Sequence, residues 1–210
     1  MTGLSTCGAV CGLLLAVSAS AQEAPSQATQ LDEHPVADTV EFLAGGAVAF
    51  GLHEGAHLVF DAAFDAHPEI KAVHFGPVQF FAITHNSAVS ARQEFAISSA
   101  GFWMQEATNE WLLTTRPNLR QEHAPFAKGM LAFNVLASIG YSIVGFARAG
   151  PPERDTRGMA VSIGMDERAI AFFVLTPAVL DAYRYFRPDS AWAKWASRVS
   201  KVGGVALILK

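Results

Sequence analysis

The segment from residue 39 to residue 64 constrains the fold most, because it is predominantly apolar and long enough to cross a membrane. A helix needs about 20 mainly apolar residues for one crossing. The sequence therefore predicts a long helix over residues 39–64. Glycines recur along it and predict that a neighbouring helix approaches closely. These are Gly45, Gly46, Gly51 and Gly55.

Residues 53–57 place an H-E-x-x-H pattern in the middle of this predicted helix. Residues four apart share one face of a helix, so His53 and His57 can both bind one metal ion. Glu54, beside them, is in the position of a general base. Ionisable side chains in an apolar helix are costly unless they are paired or used. The pattern predicts a zinc site, with an unmetallated buried polar cluster as the alternative.

The N-terminus predicts a protein exported to a membrane, such as a bacterial inner membrane. Residues 1–21 form a signal peptide that ends in Ala19-Ser20-Ala21, with an uncleaved signal anchor as the alternative. Residues 22–38 are predicted as a flexible linker and 39–210 as a membrane-embedded metalloprotease-like domain. Both cysteines, Cys7 and Cys11, lie in the signal segment. A metal site in the mature chain must therefore use histidines and carboxylates.

Composition and pattern together predict an all-α, multi-pass membrane helix bundle of four to five helices. The chain is 51% hydrophobic and 16% charged, with a net charge of −4. These values favour a lipid bilayer as a partner and give no basis for nucleic-acid binding. A small β-hairpin is predicted after the first helix. Its strands are residues 70–75 and 78–83, joined by Gly76-Pro77.

Four further helices are predicted, over residues 92–114, 124–147, 166–186 and 191–209. The helix at 92–114 carries a polar face, which either points into the protein or lies at the membrane interface. Asn134 is expected to donate a hydrogen bond between helices. Residues 150–157 are predicted as a charged loop. The last segment either crosses the membrane or lies on it. The polar face of the helix at 92–114 comprises Gln105, Glu106, Asn109 and Glu110.

Catalytic zinc usually has three protein ligands, so a third one is required. Asp181 is the first candidate, because it is the single acid in the apolar part of its predicted helix. The alternative is that Asp181 pairs with Arg184 or Arg187. Glu106 or Glu110 is the second candidate for the third ligand, since soluble zincins use a glutamate from a later helix.

The order of these elements resembles the site-2 protease family of intramembrane zinc metalloproteases. The resemblance rests on the motif at 53–57, on Phe75-Gly76-Pro77 in the hairpin, and on Leu180-Asp181 in a later apolar helix. Residues 100–105 are similar to the family's Ala-Gly-Pro-x-x-Asn element, with Gln105 in place of the asparagine. Phe102 replaces the proline of that element, and Ala182 replaces the glycine that follows the family's aspartate.

The resemblance implies that His53, His57 and Asp181 hold Zn²⁺ and that Glu54 activates water. It implies that Gln105 binds the substrate backbone or the oxyanion, and that the hairpin pairs with an extended substrate. The expected activity is hydrolysis of a membrane or membrane-proximal protein. The alternative functions are a non-catalytic metal-binding or scaffolding subunit and a purely structural membrane protein.

Overall fold

The computed structural model describes residues 35–208, where six helices and one two-stranded sheet occur. The predicted signal peptide and most of the predicted linker lie outside the described residues. In chain order the elements are α1 (Pro35–Ala63), β1 (Pro68–Phe75), β2 (Val78–His85), α2 (Ala91–Thr115), α3 (Pro125–Ala147), α4 (Asp155–Ile163), α5 (Glu167–Phe186) and α6 (Ala191–Ile208).

The mainly helical fold with a hairpin after the first helix confirms the sequence prediction in outline. α1, α3 and α5 are long and apolar enough to cross a membrane. Two details differ from the prediction. α1 begins at Pro35, so the last four residues of the predicted linker are helical. A short helix, α4, begins at Asp155, where a charged loop was predicted.

Two glycines bring the backbones of α1 and α3 into contact. A Cβ atom on Gly45 would clash with the carbonyl oxygen of Phe126, and one on Gly129 would clash with that of Phe42. Gly45 was predicted to have this role. Gly51 and Gly55 were predicted to share it, but no atom of a neighbouring element lies within 4 Å of a Cβ built on either. Close packing of α1 on α3 therefore depends on the N-terminal half of α1.

The polar face of α2 points into the protein, which confirms the first of its two predicted orientations. Gln105 and Asn109 are buried. Asn134 of α3 donates a hydrogen bond from Nδ2 to Oδ1 of Asn109 at 2.9 Å, as its position predicted. Ser138 of α3 donates to Oε1 of Gln105 at 3.1 Å. These bonds satisfy polar groups that would be costly if exposed to lipid.

The hairpin lies against α1 next to the H-E-x-x-H pattern. β1 and β2 pair antiparallel from Pro68↔His85 to Phe75↔Val78, and Gly76 in the turn has φ +59°. This left-handed conformation favours glycine. The ring of Phe50 packs edge-on against that of Phe81 of β2, with centroids 5.8 Å apart. The contact fixes the hairpin one turn from His53.

α6 turns its large apolar side chains outward and part of its polar side chains inward. Ser197 is fully buried, and Lys201 Nζ lies 2.9 Å from Oδ1 of Asp181 in α5. The exposed side chains recur at three- and four-residue spacing, so they form one stripe. This stripe consists of Trp192, Trp195, Val199 and Val202. A helix at the surface of a water-soluble domain has the opposite arrangement, with its large apolar side chains buried and its polar side chains exposed.

Candidate metal centre

His53 and His57 lie one turn apart on the buried face of α1, as the sequence predicted. Both side chains are almost fully buried. Their Nε2 atoms are 3.4 Å apart. α1 therefore presents two imidazole nitrogens at one point inside the protein.

Asp155 supplies the third ligand-type atom of this group. Its Oδ2 lies 3.2 Å from Nε2 of His53 and 3.6 Å from Nε2 of His57. Together these three residues can hold a metal ion. Atoms bound to one tetrahedral zinc at about 2.0–2.1 Å lie about 3.3–3.4 Å apart. The three distances in the group agree with that spacing, so the donor set fits a tetrahedral divalent ion.

Asp181, the predicted third ligand, is not part of this group, in which Asp155 is the carboxylate. Oδ1 of Asp181 accepts hydrogen bonds from Ser197 Oγ at 2.6 Å and from Lys201 Nζ at 2.9 Å. Arg184 Nη1 is 3.4 Å away. The alternative weighed from sequence, pairing with Arg184, is thus partly right. The main partners come from α6, and the sequence patterns do not connect α6 with Asp181.

Glu106 and Glu110, the other candidates for the third ligand, also lie outside the group. Glu110 accepts a hydrogen bond from Arg184 Nη1 at 2.5 Å and one from Arg198 Nε at 2.9 Å. Burial raises the pKa of Glu106 to about 8; Lys201 lowers it and Asp181 raises it by smaller amounts. These carboxylates join α2 to α5 and α6 in a cluster of charges.

The surroundings of the two histidines orient their rings. His57 Nδ1 is 2.7 Å from the carbonyl oxygen of Ile97, to which it donates when that nitrogen carries the proton. Such a bond would leave Nε2 available to a metal ion, as in many metal sites. The ring of His53 is stacked on Tyr141, with centroids 5.9 Å apart. A Cβ on Gly101 of α2 would clash with the ring of His53, so only glycine fits there.

The carboxyl group of Asp155 is held in its ionised form. Burial raises its pKa, but the neighbouring imidazoles of His57 and His53 lower it more, and the pKa lies well below its usual range. Asp155 is also the first residue of α4, where the helix dipole favours a negative charge. The group therefore combines two imidazoles, which bind metal ions in their neutral form, with one anionic carboxylate, and this set of ligands suits zinc.

A cavity of about 430 Å³ opens beside the group, and Glu54 lines it together with His57 and Asp155. Most of the remaining wall is apolar and comes from β2 and α3, including Phe80, Phe81, Ala82, Ile83, Ala137 and Val144. The predicted general base thus shares one cavity with two of the three ligand-type residues, His57 and Asp155.

Gln105 does not line this cavity, although it was predicted to contact the substrate. It is buried between α2 and α3, where its Oε1 accepts the hydrogen bond of Ser138. Its Nε2 has no hydrogen-bond partner among the described residues. The prediction of a role in substrate binding is therefore not supported by its position.

A second cavity, of about 180 Å³, also touches His57 and Asp155 and has a more polar wall that includes His85 and Glu94. His85 Nε2 lies 2.9 Å from Oε2 of Glu94, and its Nδ1 lies 3.5 Å from Oδ1 of Asp61. Asp61 is fully buried one turn after His57. His85 therefore links the hairpin to α1 and α2.

Sequence reasoning missed Asp155 because it assigned residues 150–157 to a loop. The signals for α4 were nonetheless present. An acidic residue follows Pro151-Pro152 at the start of a short amphipathic stretch, and Gly164 ends it. Gly164 adopts a left-handed φ of 66° at the C-cap. Recognising this helix would have placed Asp155 at a helix N-terminus, although not beside His53.

Comparison with known proteins adds no assignment: no protein-family model, no curated protein and no solved structure matches this chain significantly.

Proposed function

We propose that this protein is a membrane-embedded, metal-dependent endopeptidase that uses zinc. The observation that carries the proposal is the meeting of His53, His57 and Asp155 at mutual distances of 3.2–3.6 Å. Two of these residues, His57 and Asp155, line the cavity that Glu54 also lines. Two histidines, one carboxylate and an adjacent glutamate form the donor set and general base of a catalytic zinc site. The proposed substrates are membrane or membrane-proximal proteins.

His53, His57 and Asp155 would hold the metal, and the two histidines would bind through Nε2. When bound, zinc supplies a Lewis acid that polarises a carbonyl group and makes water more acidic. The Glu54 carboxylate can accept a proton from water in the cavity and return it to the leaving amine. Asp155, ionised in this environment, contributes the negative charge of the ligand set.

The large cavity favours an apolar substrate segment. Four consecutive residues of β2, from Phe80 to Ile83, contribute to its wall. Successive side chains of a strand point to opposite faces, so contact with four in a row places the cavity along the edge of β2. An extended substrate chain can add to such an edge through its backbone.

The membrane setting of the proposal rests on α1, α3 and α5, whose outward side chains are largely apolar. We extend it to α6, because Arg198 and Lys201 of α6 bond to acids of α2 and α5, whereas the large apolar side chains of the Trp192–Val202 stripe face outward. Lipid chains are the surroundings that suit this stripe. We also propose that an N-terminal signal exports the protein and that the protein resides in a bacterial inner membrane.

A non-catalytic metal-binding subunit is the second candidate function. It is favoured by the position of Gln105, which lies outside the cavity although the resemblance places substrate contacts there. Both candidates require the metal, so metal binding alone does not separate them. The behaviour of Glu54 does, because Glu54 is needed only for hydrolysis.

The test uses the full chain in lipid nanodiscs, with a library of apolar peptides and mass spectrometry of new termini. Glu54→Gln should keep the zinc content of the wild type and lose cleavage by at least about 100-fold, as expected for removal of a general base. Glu41→Gln, the same change at an exposed position of α1, is the control and should cleave like the wild type. If all samples contain zinc but the wild type cleaves no peptide, the result favours the metal-binding subunit. If Glu54→Gln cleaves as well as the wild type, the result excludes the proposed mechanism.

A further inference from the structure

One carboxylate of α5 contacts both sequence neighbours of Asp155. Arg154 donates from Nε to Oε1 of Glu167 and from Nη2 to Oε2, each at 2.6 Å. Thr156 donates from Oγ1 to Oε1 of Glu167 at 2.9 Å. The residues immediately before and after the proposed metal ligand are therefore bonded to the same group.

These bonds are formed away from solvent. The side chains of Arg154 and Glu167 are each 8% exposed, and Thr156 is fully buried. A bidentate pair of this kind is directional as well as strong, since the planar guanidinium matches both carboxylate oxygens. Arg154 is further held by Nη1, which donates to the carbonyl oxygen of Pro151 at 2.9 Å.

The backbone of Asp155 is thus fixed at both ends. Its side chain has few remaining torsions and must direct Oδ2 at two imidazoles that belong to α1. The position of α4 is not determined by α1 itself, because the chain between them runs through the hairpin, α2 and α3. Any movement of residues 154–156 would carry Asp155 away from the histidines.

We propose that Glu167 is a positioning residue that holds Asp155 Oδ2 against His53 and His57 and thereby sets the metal affinity of the site. This inference rests on the proposed metal site. Glu167 acts through Arg154 and Thr156 and has no place among the metal ligands. Residues that support ligands in this way typically change metal affinity by about 10- to 100-fold when they are replaced.

The matched control is Asp166, the neighbour of Glu167. It caps α5 by accepting a hydrogen bond from the Arg168 amide at 2.9 Å, and it pairs with Arg148 on the surface. None of its contacts among the described residues involves 154–156. Asp166→Asn keeps a side chain that can cap α5 and removes only the charge that pairs with Arg148, without releasing Asp155. It therefore separates the loss of a carboxylate at the start of α5 from the loss of positioning.

The experiment titrates metal-free full-length protein in nanodiscs with Co²⁺ and records the visible spectrum, which reports the coordination around the ion. Glu167→Gln should weaken Co²⁺ binding by about 10- to 100-fold and alter the spectrum at saturation. Thr156→Val removes one neutral donor to Glu167 and should show a smaller loss in the same direction. Asp166→Asn should bind Co²⁺ like the wild type even where its thermal unfolding temperature falls.

Wild-type affinity and spectrum in Glu167→Gln would overturn the positioning role. If Glu167→Gln does not fold, the Co²⁺ affinity of Thr156→Val is the test. An affinity equal to that of the wild type would then overturn the positioning role. An equal loss in Asp166→Asn and Glu167→Gln would overturn it as well, because the effect would then be one of stability. Wild-type protein that binds no Co²⁺ overturns the proposed function itself, an outcome distinct from the others.

Discussion

Nε2 of His53 lies 3.2 Å from Oδ2 of Asp155, although 102 positions separate the two residues in the chain. The contact joins the first long helix to the start of the fourth. It converts a pair of histidines, which many helices carry, into a group with the ligand number and spacing of a catalytic zinc site.

Replacement of Asp155 should remove the metal, whereas replacement of Asp181 should not. Asp155→Asn deletes the anionic ligand, and we expect zinc content near background by elemental analysis of the purified protein. Asp181→Asn instead breaks the buried contacts to Ser197 and Lys201 and should destabilise the fold by about 3 kcal/mol while zinc is retained. The reverse result would restore Asp181 as the ligand.

Gly101→Ala should disturb the metal group from a neighbouring helix. The added methyl group meets the ring of His53, so we expect a lower zinc content and a cost of about 1–3 kcal/mol from overpacking. Gly51→Ala is the control, because a Cβ at that position of α1 meets no atom within 4 Å. It should keep its zinc and change stability by at most about 1 kcal/mol, in the stabilising direction. Equal zinc in both variants would contradict the prediction.

Glu106 should make stability depend on pH. Burial raises its pKa from 4.5 to about 8, so between these values the folded protein keeps a proton that the unfolded chain releases. The free energy of unfolding therefore falls as pH rises through this window and levels off above about pH 8. Lys201 of α6 and Asp181 of α5 are the charges that face Glu106.

Glu106→Gln should remove this slope and make the protein more stable than the wild type near pH 8. Thermal unfolding of the two proteins at a series of pH values measures the difference. Glu41→Gln, an exposed change on α1, should retain the wild-type slope. A slope that persists in Glu106→Gln would assign the dependence to another group.

The sequence was sufficient for the elements whose pattern is local. Apolar runs predicted α1, α3 and α5, because a membrane-length helix is defined by consecutive residues. Alternation about Gly76-Pro77 predicted the hairpin, and two strands joined by two residues pair in only a few registers. α4 was missed since nine residues with charges at their start have a weak periodic signal.

The residues of the candidate site likewise divide into those that a local sequence pattern predicts and one that it does not. His53, Glu54 and His57 could be read from the sequence, because a helix alone places positions four apart on one face. The third ligand could not be read, since a chain can bring any of several acids to that face at similar local cost. Packing decided between them: salt bridges from α6 and α5 occupy Asp181, and the Arg154–Glu167 pair holds Asp155 beside the histidines.

The sequence by itself determined that α1 carries two imidazoles and a glutamate on a membrane-length helix. Only the tertiary structure decided which carboxylate completes the group and which face of α6 is polar. The physical reason is that helix periodicity acts over a few residues, whereas the burial of a charge depends on partners that the chain supplies from distant positions.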